Sequence, residues 1–366
     1  MKAIYDIKEV CPVPPPYGGV TVYVMRLIER LTKDGFSVGG YYSVDCTDQT
    51  IIDSPMFDKW TWFQIIYYPF KIWKYLKETR PYKIVHSHFS LEGMLYLWTI
   101  MTMGRKKIVI TVHNSMSENY LKTTSCVNKF FLKKMLKSPN VTWVAVSDQG
   151  KTQLENIEPS LLGRISIVPA YVPLTITEYS PLETSLQNYI DSHEKIISFY
   201  GHSFMTNEGV DVYGFQDALK LYSEIAQVDS SVGFVLCLSD THEDAKIKEL
   251  HSVATKLGVD NLIFWQIGAL ENVSSLWHQT DVYIRPTSTD GDSVAVREVL
   301  DEGVAVVASN VCWRPKGVIT YIKGDNQDFF EKVTIALNRG KQNPNPDYTQ
   351  YEKMKSIYQK ILNERF

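Results

Sequence analysis

The sequence predicts an α/β protein built from two doubly wound, Rossmann-like domains, and three observations predict it. Short β-branched apolar runs alternate with amphipathic helical stretches along most of the chain. One irregular stretch around residues 168–192, with Pro169, Pro173 and Pro181 in polar surroundings, interrupts that alternation and reads as a linker. The length of 366 residues, 44% of them hydrophobic and 22% charged, suffices for two ordinary globular cores.

The elements follow in order. "KAIYDIKEV" is a strand that leads through the Pro/Gly loop "PPPYGGV" into the helical "VTVYVMRLIERLTKDG". "KIVHSH" is a second strand and precedes a helix around Leu91–Thr102, while "KIVITVHN" and "VTWVAVS" are further apolar strands. The apolar stretch Gly93–Gly104 is too short to span a bilayer and reads as a buried helix. After the linker, "KIISFYGH", "VGFVLCLSD", "NLIFWQIG", "DVYIRP" and "AVVASN" are strands, with helices at Gln216–Gln227, Ala245–Leu257 and Val273–Gln279 between them. The expected domains are residues 1–176 and 190–345, and the closing helix of 348–366 is expected to pack back on the first.

Five cysteines, scattered and never in a C-x-x-C pair, imply neither a disulfide framework nor a zinc site, and a reducing cytoplasm fits them best. No charged segment followed by an apolar run and a cleavage site opens the chain, so no secretory leader is expected. The net charge of −3 conceals an asymmetry: residues 1–180 carry 21 Lys+Arg against 15 Asp+Glu, and the remainder 17 against 26. The basic excess concentrates in 59–137, interleaved with Trp60, Trp62, Tyr67, Tyr68, Phe70, Trp73 and Tyr75. Either a peripheral contact with an anionic membrane at its inner face or a solvated basic face over an aromatic core would show this pattern. Nucleic acid is not expected as a partner, because the chain is acidic overall and shows no nucleic-acid module.

The most informative stretch is "TDGDSVAVREVLDEG", Thr289–Gly303. It sets Asp290 and Glu298 eight residues apart across a strand-to-helix turn. Free backbone amides and the positive end of a helix dipole at such a turn suit a diphosphate. Glu298, about one helical turn in, could accept bonds from two adjacent ribose hydroxyls. A surface acidic loop before an ordinary amphipathic helix is the alternative. His86 and His88 in "VHSH" lack an evident third ligand nearby and are taken as strand-end packing and loop contacts, so no metal is expected. The absence of G-x-G-x-x-G argues against a dinucleotide cofactor.

In this order, "PPPYGGV", "ITVHN", "VAVS" and the late acidic pair resemble the retaining glycosyltransferases of family 4 (group 1), specifically a polysaccharide-assembly branch with "RPT-x-x-DGDS-x-x-x-RE" and a later "RP". The resemblance implies the GT-B fold, two Rossmann-like domains facing a central cleft, with the acceptor on the N-terminal domain and a nucleoside-diphosphate-sugar of UDP or GDP type on the C-terminal one. It implies metal-independent transfer to a saccharide or lipid-linked acceptor in cell-surface polysaccharide or glycolipid assembly. Carried over by position, Gly18 and Gly19 match the glycine pair near the donor phosphates, His113 the histidine beside the donor sugar, and Glu298 the ribose-binding glutamate. Gly291, Asp292, Ser293 and Val294 match the turn facing phosphates and sugar, and Asp290, expected with His113 to orient the sugar as catalytic residues beside Glu298, stands where glutamate is usual. The usual phosphate-gripping Arg and Lys are replaced by His202 and Glu208, which leaves Arg285, Arg297 and Arg314 as candidate clamps or as salt-bridge partners of Asp290 and Asp292. A nucleotide-binding partner subunit without turnover and a GT-B-fold nucleotide-sugar epimerase are the alternative functions.

Overall fold

The computed structural model describes residues 5–11, 19–39, 72–88, 91, 93–113, 117, 121–122, 124–174, 179–207, 209–270, 273–290 and 292–364. The chain divides into two compact units, Met1–Val172 together with Tyr348–Phe366, and Pro173–Asp347.

The first unit runs β1 (Tyr5–Val10), α1 (Gly19–Lys33), β2 (Val38–Gly39), β3 (Tyr82–Ser87), α2 (Met94–Met103), β4 (Lys107–Val112), α3 (Cys126–Lys137), β5 (Val141–Ala145), α4 (Asp148–Ile157) and β6 (Ile165–Ile167). Its sheet has the order β2-β1-β3-β4-β5-β6 and every pairing is parallel. Successive strand residues point to opposite faces. Val85, Ile108, Ile110 and Trp143 therefore enter one apolar layer, closed by Leu97 of α2 and Leu132 of α3. Ile84, Val109 and Val144 enter the other, closed by Val24, Leu27 and Leu31 of α1. That second layer also takes Tyr351, Met354, Tyr358 and Ile361, one face of the terminal helix Thr349–Asn363. α3 and α4 start where Ser125 and Ser147 accept bonds from Asn128 N and Gly150 N, satisfying amides with no partner inside the helix.

The second unit runs α5 (Thr184–Asp191), β7 (Lys195–Gly201), β8 (Thr206–Asn207), β9 (Val210–Asp211), α6 (Phe215–Val228), β10 (Val232–Leu238), α7 (Asp244–Lys256), β11 (Ile263–Ile267), α8 (Val273–His278), β12 (Val282–Arg285), α9 (Val294–Asp301), β13 (Ala305–Ser309), β14 (Ile319–Tyr321) and α10 (Asn326–Arg339). Its sheet, ordered β11-β10-β7-β12-β13-β14, is also parallel throughout, and β8 and β9 form a separate antiparallel pair. All seven residues of β10 are buried, which is why "VGFVLCL" is continuously apolar: helices cover both faces of the sheet. Phe234 and Leu236 pack with Leu219 of α6 and Val333 of α10, whereas Val235 packs with Leu186 of α5 and Val299 of α9.

Both strand orders reverse once. In the first unit the chain leaves β1 for β2 and returns to β3 on the other side of β1; in the second it leaves β7 for β10 and returns to β12 on the other side of β7. Open parallel sheets hold ligands at such reversals, beyond the carboxyl ends of the strands. At the second reversal Gly214, with φ +79°, lets the start of α6 lie against the end of β12, where a Cβ would come 2.2 Å from the Pro286 carbonyl oxygen.

Candidate functional site

β12 delivers Arg285 to the reversal in the second unit, only 8% exposed. Its Nε and Nη2 donate to Asp290 Oδ2 and Oδ1 at 3.0 and 3.3 Å, a forked pair, and Nη1 donates to the Tyr200 carbonyl at 3.1 Å, tying β12 to β7. From beyond β13, Arg314 Nη1 donates to the same Asp290 Oδ2 at 2.8 Å. Its Nε donates to the Ser309 carbonyl at 3.1 Å and its Nη2 to Thr287 Oγ1 at 3.0 Å. Burial alone would raise the Asp290 carboxyl's pKa, but Arg285 and Arg314 outweigh it and hold that group below its usual range. Within this trio two guanidiniums face one carboxylate, an excess of one positive charge.

Next along the chain, Ser293 caps α9 by accepting from Val296 N at 3.4 Å, and Val294 opens the helix. Arg297 Nε donates to Asp292 Oδ1 at 2.7 Å and its guanidinium lies 5.7 Å from the centre of the Trp313 ring. Glu298 is 8% exposed and its Oε2 accepts from Trp277 Nε1 at 3.3 Å. The structure thus brings Arg285, Asp290 and Arg314 into one cluster and sets Arg297 with Asp292 in another, so the arginines expected as phosphate clamps are also aspartate partners. Gly291 and Glu208 lie outside the described residues, as does Gly18; Gly19 opens α1, and His202 is exposed just past β7. A cavity of about 530 Å³ also opens on this unit, lined by Phe204, Met205, Gly214, Lys246 and Lys323 among others. It does not include the arginine cluster, and its lysines pair with Glu243 and Asp217.

The reversal in the first unit carries a second buried polar cluster, which corrects the expectation for His86 and His88. Both are buried against fully buried Glu9, the third group that seemed missing from the sequence around them. Glu9 Oε2 accepts from His88 Nε2 at 2.8 Å and lies 3.1 Å from His86 Nδ1, while Oε1 accepts from Tyr358 at 2.9 Å. His86 Nε2 meets Thr111 Oγ1 at 2.8 Å, and His88 Nδ1 meets His113 Nε2 at 3.0 Å. Tetrahedral zinc, with bonds of about 2.0–2.1 Å, would hold its ligand atoms roughly 3.3 Å apart. The 2.8 and 3.1 Å separations here are those of direct hydrogen bonds. Burial would raise the Glu9 pKa, yet His86 and His88 reverse this and the carboxyl is strongly acidic. Burial, reinforced by His86 and opposed by Glu9, pushes the His88 imidazole down to about 4. Burial, with His88 and His86, also takes His113 well below its ordinary value.

Glu9 carried little sequence signal, since Asp6 and Lys8 stand beside it in "YDIKEV". Tyr358 carried none, because it reaches Glu9 across 349 positions of chain.

The sequence profile described as Glycosyltransferase Family 4 matches residues 17–175. Over those residues the chain is similar to that family. No curated protein sequence matches it. Among solved structures, a glycosyltransferase from Rickettsia africae superposes with a TM-score of 0.70 at 15% identity, covering 99% of each chain. HepE of Anabaena, in complex with UDP and glucose, gives 0.62 at 14% identity, over 99% of this chain and 95% of its own. WaaG, a glycosyltransferase involved in lipopolysaccharide biosynthesis, gives 0.59 at 14% identity, over 98% and 95%. At these identities the likeness establishes the fold: the chain has the GT-B architecture.

Replacing Asp290 by Ala leaves two buried guanidiniums without their shared carboxylate, a change expected to cost about 3–5 kcal/mol. Urea denaturation of Asp290→Ala against the parent measures it; a loss under about 1 kcal/mol would show that the pair of bridges holds nothing in place.

Proposed function

We propose that the chain is a retaining glycosyltransferase that takes a sugar from a nucleoside diphosphate, of UDP or GDP type, and passes it to a saccharide or lipid-linked saccharide. The observation that carries this reading is the excess positive charge of Arg285 and Arg314 over Asp290 at the strand-order reversal, one short turn before the N-terminus of α9. A diphosphate leaving group needs compensating charge that is already in place when the bond breaks. Fixed guanidiniums and helix amides supply it without a metal ion. In this reading Arg285, Arg314 and the turn at Asp292, Ser293 and Val294 hold the phosphates, with Arg297 fixing Asp292. Asp290 sets the two guanidiniums in position rather than gripping the sugar by itself. Glu298 anchors the ribose, and Gly18, Gly19 and His113 of the first unit serve the sugar. The leaving phosphate takes the acceptor's proton on the face it departs from, which retains the anomeric configuration.

A nucleotide-binding subunit without turnover is the competing reading, favoured by the fact that all three arginines already engage aspartates. Thermal unfolding with UDP, GDP, ADP and CDP, combined with donor hydrolysis, separates the two. One nucleotide is expected to raise the midpoint by mass action, and Glu298→Ala to weaken that ligand at least about tenfold. Unchanged affinity in Glu298→Ala would remove the ribose assignment, and binding without any donor turnover would favour the inactive subunit.

The first unit also exposes Trp73 (59%), Met103 (68%) and Phe130 (56%), with Lys77 and Lys134 beside the Trp73 and Phe130 rings. No helix among the described residues is long and apolar enough to cross a membrane. We infer that the basic segment 59–137, in its described residues, rests on an anionic bilayer and takes a lipid-linked acceptor there. Flotation with vesicles rich in phosphatidylglycerol is expected to carry the protein, and neutral vesicles to leave it behind. Equal recovery from both would contradict this.

A further inference from the structure

The polar cluster of the first unit holds more than a buried histidine pair. Its bonds form a line: Glu9 Oε2 to His88 Nε2 at 2.8 Å, then His88 Nδ1 to His113 Nε2 at 3.0 Å. Each link constrains the next. An ionised carboxylate only accepts, so His88 must carry its proton on Nε2, and a neutral imidazole so protonated has a lone pair on Nδ1. His113 Nε2 must therefore donate to it, which leaves the lone pair of His113 on Nδ1. Both rings meet that of Tyr23 of α1 in T-shaped contacts, with ring centres 5.9 Å apart in each case. Glu9 is held in turn by Tyr358 and His86, so the first member of the line does not rotate. Among the described residues no group bonds His113 Nδ1, and His113 is the partly exposed member of the three.

We propose that Glu9 and His88 are positioning residues that lock His113 in its Nε2-protonated tautomer, presenting Nδ1 as a hydrogen-bond acceptor for a hydroxyl of the bound sugar. The role rests on the transfer reading, in which His113 meets the sugar. A histidine free to exchange tautomers would offer an acceptor only part of the time, and at other moments would set an N–H against the hydroxyl. Groups that orient a functional histidine in this way commonly account for about 10–100-fold in activity.

Long-range ¹H–¹⁵N spectra of histidine-labelled protein at pH 7 test the relay without any substrate, so they decide it whether or not the chain transfers sugar. Wild type is expected to show His113 protonated at Nε2 only. His88→Leu removes the acceptor and should release His113 into tautomer exchange. His88→Gln keeps one acceptor and one donor in place of the two ring nitrogens, and should retain the wild-type tautomer. In donor hydrolysis His88→Leu should lower kcat about 10–100-fold with nucleotide affinity unchanged, and His88→Gln should recover most of it. A wild-type His113 protonated at Nδ1, or an unaltered tautomer in His88→Leu, overturns the relay. If His113→Ala hydrolyses donor as fast as wild type, the positioning role falls, while nucleotide binding by the second unit stands or falls on the Glu298 result.

Discussion

The shared carboxylate of Asp290 is the constraint on which the second unit's site depends. It joins the end of β12 to the segment beyond β13, because Arg285 and Arg314 reach it from those two places and each spends its other donors on backbone or hydroxyl oxygens nearby. Buried guanidiniums are costly unless paired, and a pair fully neutralised could do nothing for an anion. Two cations on one anion meet both conditions: each is held, and charge is left over. Where the resemblance leads one to expect an Arg and a Lys that grip phosphate, the sequence has His202 and Glu208, and in the proposed reading the paired guanidiniums make up for them.

The first unit solves a related problem with the opposite charge. Glu9 is fully buried and stays ionised because Tyr358, His88 and His86 surround it with donors, and the histidines outweigh the desolvation that would protonate it. In both units the polar cluster stands where the strand order reverses, since only there do adjacent strand ends diverge and leave room for side chains that are neither core nor solvent. Most other buried strand residues described are apolar, with Lys8 of β1 and Ser198 of β7 among the exceptions.

Much of this was legible in the sequence because it is local. Strand, turn and helix around Asp290 and Glu298 follow from "DVYIRP", a Gly-bearing loop and an N-cap Ser293, all within a few residues. The continuous apolar "VGFVLCL" announces a strand covered on both faces. What stayed hidden is non-local. His86 and His88 read as packing because Glu9 lies 77 residues before the first of them and Tyr358 272 residues after it; only the parallel pairing of β1 with β3 and the packing of the terminal helix bring them together. Likewise the spacing of Arg285, Asp290 and Arg314 permitted either a phosphate clamp or salt bridges, and the geometry shows that one set of guanidiniums forms the bridges while retaining excess charge.

The most direct test of the account is a crystal structure of the protein grown with UDP, or with whichever nucleotide stabilises it. The account predicts the diphosphate beyond the ends of β7 and β12, within hydrogen-bond reach of Arg285 or Arg314, and the ribose hydroxyls on Glu298. A nucleotide seated instead in the cavity beside Phe204 and Lys246, with Arg285, Arg314 and Glu298 untouched, would contradict it.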